Sequence, residues 1–149
     1  MTTAVIMTRR SALHQAFLGD ASTPSLVRHA VASWLDERDV AEEHRDDLVL
    51  AINEAVTNVV DHAYGPAGGS VDGVGVGGGY VEVDVELDVH PNGERWVTAV
   101  VTDYGAWRPA PAQNGFRGRG LQMISACTDW RTIEQRAVGT RVTMARRVR

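Results

Sequence analysis

Residues 48–65 read LVLAINEAVTNVVDHAYG, and the fold turns on how this stretch is read. On a helix, Glu54, Asn58 and His62 fall at i, i+4 and i+8, so they share one slowly drifting face. Ile52, Ala55, Val56, Val59 and Val60 take the rest of the circumference, and most of them should point into a core. A carboxylate and a carboxamide on a largely apolar helix are costly unless something polar meets them. A bound metal–nucleotide would do so. Downstream, Asp103-Tyr104-Gly105 follows an apolar run, and Arg117-Gly118-Arg119-Gly120-Leu121 opens a further helix. These three pieces form the candidate site.

Working outward, the helix around Glu54 is expected to start at a capping box of Asp39 and Glu42 and to run to about Ala63, with Gly65-Pro66 ending it. Before it, Thr23 as N-cap and Pro24 at the first helical position start another helix. Leu26, Ala30 and Trp34 make one apolar row on that helix; Val27, Val31 and Leu35 make the next. Arg10–Leu18 reads as a first strand with Leu13 and Phe17 on one face, after a loose N-terminal tail. Gly65–Gly79 is glycine-rich and reads as a surface loop. Its Gly73-Val74-Gly75-Val76-Gly77 is no dinucleotide loop, because it leaves a helix and opens a strand, the reverse of that fingerprint.

Tyr80–His90 alternates cleanly, Val81, Val83, Val85, Leu87 and Val89 one way and Glu82, Asp84, Glu86 and Asp88 the other, as a strand with one packed face and one wet face. Pro91–Glu94 is a hairpin turn, and Trp96–Thr102, more uniformly apolar, returns nearer the middle of the sheet. After an irregular loop over Tyr104–Gly118 come a short helix at Leu121–Ala126 and a hairpin of Trp130–Glu134 with Thr140–Arg146 around Val138-Gly139. The order β-α-α-β-β-α-β-β specifies an α+β two-layer sandwich, with a mixed, mostly antiparallel sheet and helices on one face.

At 149 residues the chain is expected to be one domain, with a core at about 20–146. A net charge of −4 and a pI near 5.7 argue against nucleic-acid binding that rests on net charge. No apolar run approaches the roughly 18–20 residues that span a bilayer, and MTTAVIMTRR lacks the order of a signal peptide, so the cytoplasm is the expected location. Cys127 stands alone and reads as a small buried apolar residue. All 15 basic residues are arginine, which excludes P-loop, kinase-strand and Schiff-base lysine chemistry. Any phosphate must therefore be held by backbone N–H groups, arginine and a metal ion.

Each site residue has a plain reading beside the functional one. Glu54 fits a general base beside a phosphate, and also an ordinary solvated helix glutamate. Asn58 fits an amide-oxygen ligand to Mg²⁺, and also a water-bonded polar residue. His62 reads equally as a structural histidine and as a site residue. Asp103, at a strand end, suits an exocyclic amine such as adenine's, and Gly105 would let a flat ring approach the backbone; Asp-x-Gly is also a common turn. Arg117–Leu121 offers free N–H groups at the positive end of a helix, where an anion could sit.

These motifs, in this order, resemble the Bergerat ATP-binding fold of gyrase, histidine kinases and MutL. Glu54-x-x-x-Asn58 resembles its N box, Asp103-Tyr104-Gly105 its first glycine box, Gly118-Arg119-Gly120-Leu121 its second, and Gly139-Thr140 the late Gly-Thr that closes the adenine pocket. Glu-Ala-Val-Thr-Asn-Val-Val-Asp-His-Ala-Tyr at 54–64 and Asp-x-Gly-x-Trp-Arg-Pro at 103–109 look most like the bacterial anti-sigma-factor serine/threonine kinases of partner-switching systems. The resemblance covers roughly residues 20–146.

It implies ATP and Mg²⁺ as cofactors. Glu54 would be the catalytic base or water-orienting carboxylate, Asn58 the metal ligand and Asp103 the adenine reader. Gly105, Arg117, Gly118, Arg119, Gly120, Leu121 and Thr140 would complete the nucleotide site, and residues 106–117 would form a lid over the phosphates. The implied partners are an anti-anti-sigma (STAS-type) protein, phosphorylated on serine or threonine, and a sigma factor held inactive, with no direct contact to nucleic acid or membrane; a homodimer is the expected assembly. Three features depart from the pattern. Ala106-Trp107 stands where many members have a further glycine, the 65–79 loop is long, and no dimerising phosphoacceptor-histidine segment precedes the first helix, which speaks against a histidine kinase. Two alternatives stay open: a nucleotide-binding regulator that acts by contact alone, and a structural domain that binds no nucleotide.

Overall fold

The computed structural model describes residues 9–62, 79–105 and 119–149, with Arg9, Arg10, His62, Arg119 and Gly120 as backbone only. Within them the chain runs β1 (Arg9–Leu18), α1 (Thr23–Asp36), α2 (Glu42–His62), β2 (Tyr80–Val89), β3 (Arg95–Asp103), α3 (Arg119–Cys127), β4 (Trp130–Gln135) and β5 (Thr140–Val148). This is the expected order of elements. The five strands form one sheet in the order β1-β2-β3-β5-β4, and all four pairings are antiparallel. The glycine-rich segment up to Gly78, with the proposed helix stop at Gly65-Pro66, and residues 106–118 of the later loop lie outside the described residues.

Alternation decides which face of the sheet is buried. On β2, Val81, Val83, Val85 and Leu87 are buried while Glu82, Asp84, Glu86 and Asp88 are partly exposed. Strand β3 lies in the centre and buries Val97, Ala99 and Val101; β5 adds Val142, Met144 and Val148. Helix α2 packs between α1 and α3 and against β3 and β5. Its Leu48, Ala51, Ile52, Ala55, Val56, Val59 and Val60 are all buried. Each such branched side chain contributes about 1.5–3 kcal/mol by leaving water. Helix α1 adds Val27, Val31, Trp34 and Leu35, and α3 adds Ile124 and Cys127, the thiol expected inside. Burial pushes the Cys127 thiol above its ordinary pKa.

Three local expectations give way. Leu26, placed with Ala30 and Trp34 in an apolar row, is 54% exposed: α1 buries the Val27–Val31–Leu35 row, and Leu26 lies a 100° turn from Val27. The N-cap of α1 is Ser22, not Thr23, and it makes no side-chain cap bond. The Ser22 hydroxyl donates to Asp20 instead, and the buried Thr23 hydroxyl donates to the Leu18 carbonyl, tying the end of β1 to the start of α1. Asp39 does not cap α2. It lies in the left-handed region (φ 55) and closes α1, with Asp39 N–H donating to Asp36 O (3.0 Å) and Val40 N–H to Leu35 O (3.2 Å). This bond pair is the usual helix stop built around a left-handed residue, here asparagine's acidic analogue rather than glycine.

Candidate functional site

The best-defined part of the site lies where β3 ends and β5 begins. Asp103 is the last residue of β3 and is 3% exposed. Its Oδ1 accepts the Gly105 N–H at 3.0 Å, and the carboxylate also accepts the Thr140 N–H. Burial holds the Asp103 carboxyl above its ordinary pKa; the two backbone donors and the Arg136 guanidinium act the other way. Such a side chain is half satisfied from within, with acceptor capacity left over.

Gly139 permits this arrangement. Its φ is +77°, and a Cβ there would lie 1.8 Å from the Asp103 carbonyl oxygen and 2.9 Å from Oδ1. Only glycine lets the β4–β5 turn close onto the end of β3 and bring the Thr140 N–H to the carboxylate. The turn is fastened by Arg136 N–H donating to Gly139 O at 2.9 Å. The Arg136 guanidinium carbon sits 5.2 Å from the centroid of the Tyr104 ring, a cation–π distance. The Tyr104 hydroxyl is hydrogen-bonded to Glu82. Sequence reading missed Arg136 altogether, because nothing in its local pattern marks an arginine that folds back over a strand end. Gly139 was visible as a hairpin-turn residue and as half of a Gly-Thr pair, but not as the point where the turn meets Asp103.

Helix α2 supplies the second part. The apolar positions of the helix are buried in the core, and this leaves Glu54 and Asn58 half-buried. Nearby, the Asn53 Oδ1 accepts from Arg28 Nη1 at 3.0 Å, so that amide is partnered. The Asn58 Nδ2 is buried with no hydrogen-bond partner among the described residues. An orphaned amide edge calls for a polar group from elsewhere: an acceptor for the nitrogen or, with the amide turned over, a donor or cation for the oxygen. Among the described residues no group of three or more His, Cys, Asp or Glu could hold a metal. That donor set suits Mg²⁺ arriving with phosphates, which commonly takes only one or two protein ligands. His62 closes the described part of α2.

The third part opens α3, which starts at Arg119, two residues earlier than expected. Arg119, Gly120 and Leu121 thus form its first turn, where backbone N–H groups lack intrahelical acceptors. Arg117 and Gly118 lie outside the described residues. The structure brings Asp103, Gly105, Gly139 and Thr140 into contact, and places Glu54 and Asn58 on the helix that packs against the strands carrying Asp103 and Thr140. No helix among the described residues is long and apolar enough to cross a membrane.

The chain is similar to known proteins. The family model for the histidine kinase-like ATPase domain matches residues 19–146. The anti-sigma F factor of Clostridium acetobutylicum is 42% identical over 55 residues, 37% of this chain and 38% of that protein. The crystal structure of the RsbU and RsbW domains of Rv1364c from Mycobacterium tuberculosis superposes with a TM-score of 0.65 at 27% identity, over 93% of this chain and 32% of that one. The chain therefore spans about a third of the length of each of these relatives.

Proposed function

The chain belongs to the histidine kinase-like ATPase domain family, and we propose that it is an ATP-dependent serine/threonine kinase that also acts as an anti-sigma factor. The reading is supported best by the buried Asp103 carboxylate, fixed between the Gly105 and Thr140 N–H groups with acceptor capacity left for an adenine amine. The likeness to an anti-sigma F factor and to an RsbW domain supports the partners: a sigma factor, and an anti-anti-sigma protein that receives the phosphoryl group.

In this mechanism Asp103 accepts the exocyclic amine of adenine, and Gly105 leaves room for the ring. The first-turn N–H groups of α3, with Arg117 and Gly118 ahead of them, hold phosphate oxygens. Asn58 would hold Mg²⁺, which, when bound, neutralises phosphate charge. Glu54 orients the serine or threonine hydroxyl of the partner and takes its proton. The hydroxyl oxygen bonds to the γ-phosphorus, the bond to the β–γ bridging oxygen breaks, and ADP leaves with that electron pair.

Radiolabelled ATP with a candidate anti-anti-sigma protein, beside a pull-down of the sigma factor, tests this. Glu54→Ala should leave ATP binding nearly intact and lower transfer by about 10²–10⁴-fold, the usual contribution of a general base. Asn58→Ala should weaken Mg-ATP binding itself. A wild type that binds both proteins and Mg-ATP yet labels nothing would leave the regulator that acts by contact alone, a reading favoured by Ala106-Trp107 in the first glycine box. Equal labelling by Glu54→Ala would move the base elsewhere.

A further inference from the structure

One guanidinium fastens both sides of Asp103. Arg136 leads the turn between β4 and β5, and its backbone N–H donates to the Gly139 carbonyl at 2.9 Å. Its side chain folds back over the same turn, so that Nε and Nη2 both reach the Val138 carbonyl, at 3.4 and 3.3 Å. The guanidinium carbon then lies 5.2 Å from the centre of the Tyr104 ring. Tyr104 follows Asp103 directly in the chain, and its hydroxyl is hydrogen-bonded to Glu82 on β2. The far end of the turn delivers the Thr140 N–H to the Asp103 carboxylate. A closed circuit results: Asp103, Tyr104, Arg136, Gly139, Thr140 and back to Asp103.

We propose that Arg136 is a positioning residue for base recognition, clamping Tyr104 and the β4–β5 turn onto the end of β3 so that the free acceptor of Asp103 is held in one place. The inference rests on the reading of Asp103 as the residue that meets adenine, and it gives Arg136 no contact with the nucleotide. The turn and the strand end touch backbone to backbone, since a Cβ on Gly139 would lie 1.8 Å from the Asp103 carbonyl oxygen. Any shift of the turn is therefore passed to the Thr140 N–H. A displacement of about 1 Å takes a normal N–H···O bond out of range, and a carboxylate left with one donor is free to turn.

Arginine suits this task where lysine does not. Its planar fork sets two donors on one carbonyl while its face stays over a ring; an ammonium group is a point donor. Arg136 is also the cation that acts on Asp103, against the effect of burial. None of its partners belongs to the hydrophobic core, so the fold should stand without the side chain.

Isothermal titration with ATP, beside a carbon-13 NMR titration of the ligand-free Asp103 carboxyl, tests this in Arg136→Met and Arg136→Lys. Arg136→Met should weaken ATP binding about tenfold at neutral pH, the scale of one charged hydrogen bond, and move the Asp103 titration to higher pH. Arg136→Lys should return the titration towards its wild-type position and recover only part of the affinity, because it supplies the charge without the fork. In an Asp103→Asn background, Arg136→Met should change ATP affinity by less than about twofold, since Arg136 acts through the carboxylate. A tenfold loss that survives in that background would overturn the proposal, as would an Asp103 titration indifferent to Arg136→Met. If Asp103→Asn alone binds ATP as wild type does, the base reading has failed and the proposal falls with it; the Asp103 titration, still moved by Arg136→Met, would tell that failure apart.

Discussion

In the ligand-free protein the ionised form of Asp103 is disfavoured, because burial outweighs the two backbone N–H donors and Arg136. Its folded pKa lies above the ordinary 3.8, so the folded chain holds this proton more tightly than the unfolded one. That contribution to stability is complete below about pH 4 and is lost as pH rises through the folded value. Asp103→Asn keeps an oxygen for Gly105 and Thr140 and removes the titration. Ligand-free Asp103→Asn should therefore melt higher than wild type at neutral pH, with the difference closing towards pH 4; melts that differ equally at every pH would refute this. ATP affinity should fall as pH drops through the same window, because a protonated carboxyl is a poorer acceptor for an amine. Gly139→Ala meets a backbone oxygen and a positive φ together, so it should cost at least the roughly 1–3 kcal/mol of a strained backbone, read from denaturant unfolding. Asp103 and Gly105 could be picked out in the sequence because a strand ending in Asp-x-Gly is a local pattern. Arg136 could not, since its role comes from the return of the chain.

At the scale of elements, periodicity carried most of the fold. The alternation of β2 and the more uniformly apolar β3 gave both strands and their places in the sheet. Helix α2 reads through because its buried positions, from Leu48 to Val60, recur at 3.6-residue spacing within a helix of 21 residues. Ile52→Ala, at a site 1% exposed, should cost about 2–5 kcal/mol by transfer and cavity terms, measured by urea unfolding. Helix ends were read less well. Asp20 takes up the Ser22 hydroxyl, and Asp39 turns left-handed to end α1, so the side chains that look like caps do other work. Both outcomes rest on competition among neighbouring polar groups, which residue type alone does not resolve. The Gly65–Gly79 segment carries no proposed site residue. Shortening it to a four-residue turn should leave ATP affinity within a factor of about three, since closure entropy depends weakly on length; a collapse of folding would show that it holds ordered structure.

For the whole molecule, one face of the sheet carries the helices and the candidate nucleotide site, and no described element covers the other. Strand β3 belongs to both faces, with Asp103 at its end among the buried positions and Trp96 and Val100 on the open side. Membership of the histidine kinase-like ATPase family implies ATP, and the proposal is that Asp103 reads its base. Isothermal titration with ATP, ADP and GTP in Mg²⁺, on wild type and Asp103→Asn, tests that most directly. The expected result is binding of both adenine nucleotides, little or none of GTP, and a loss of about 1–3 kcal/mol in Asp103→Asn, which exchanges an acceptor for a donor in a buried contact. Equal affinity for ATP and GTP, or an Asp103→Asn variant that binds ATP as wild type does, would contradict it.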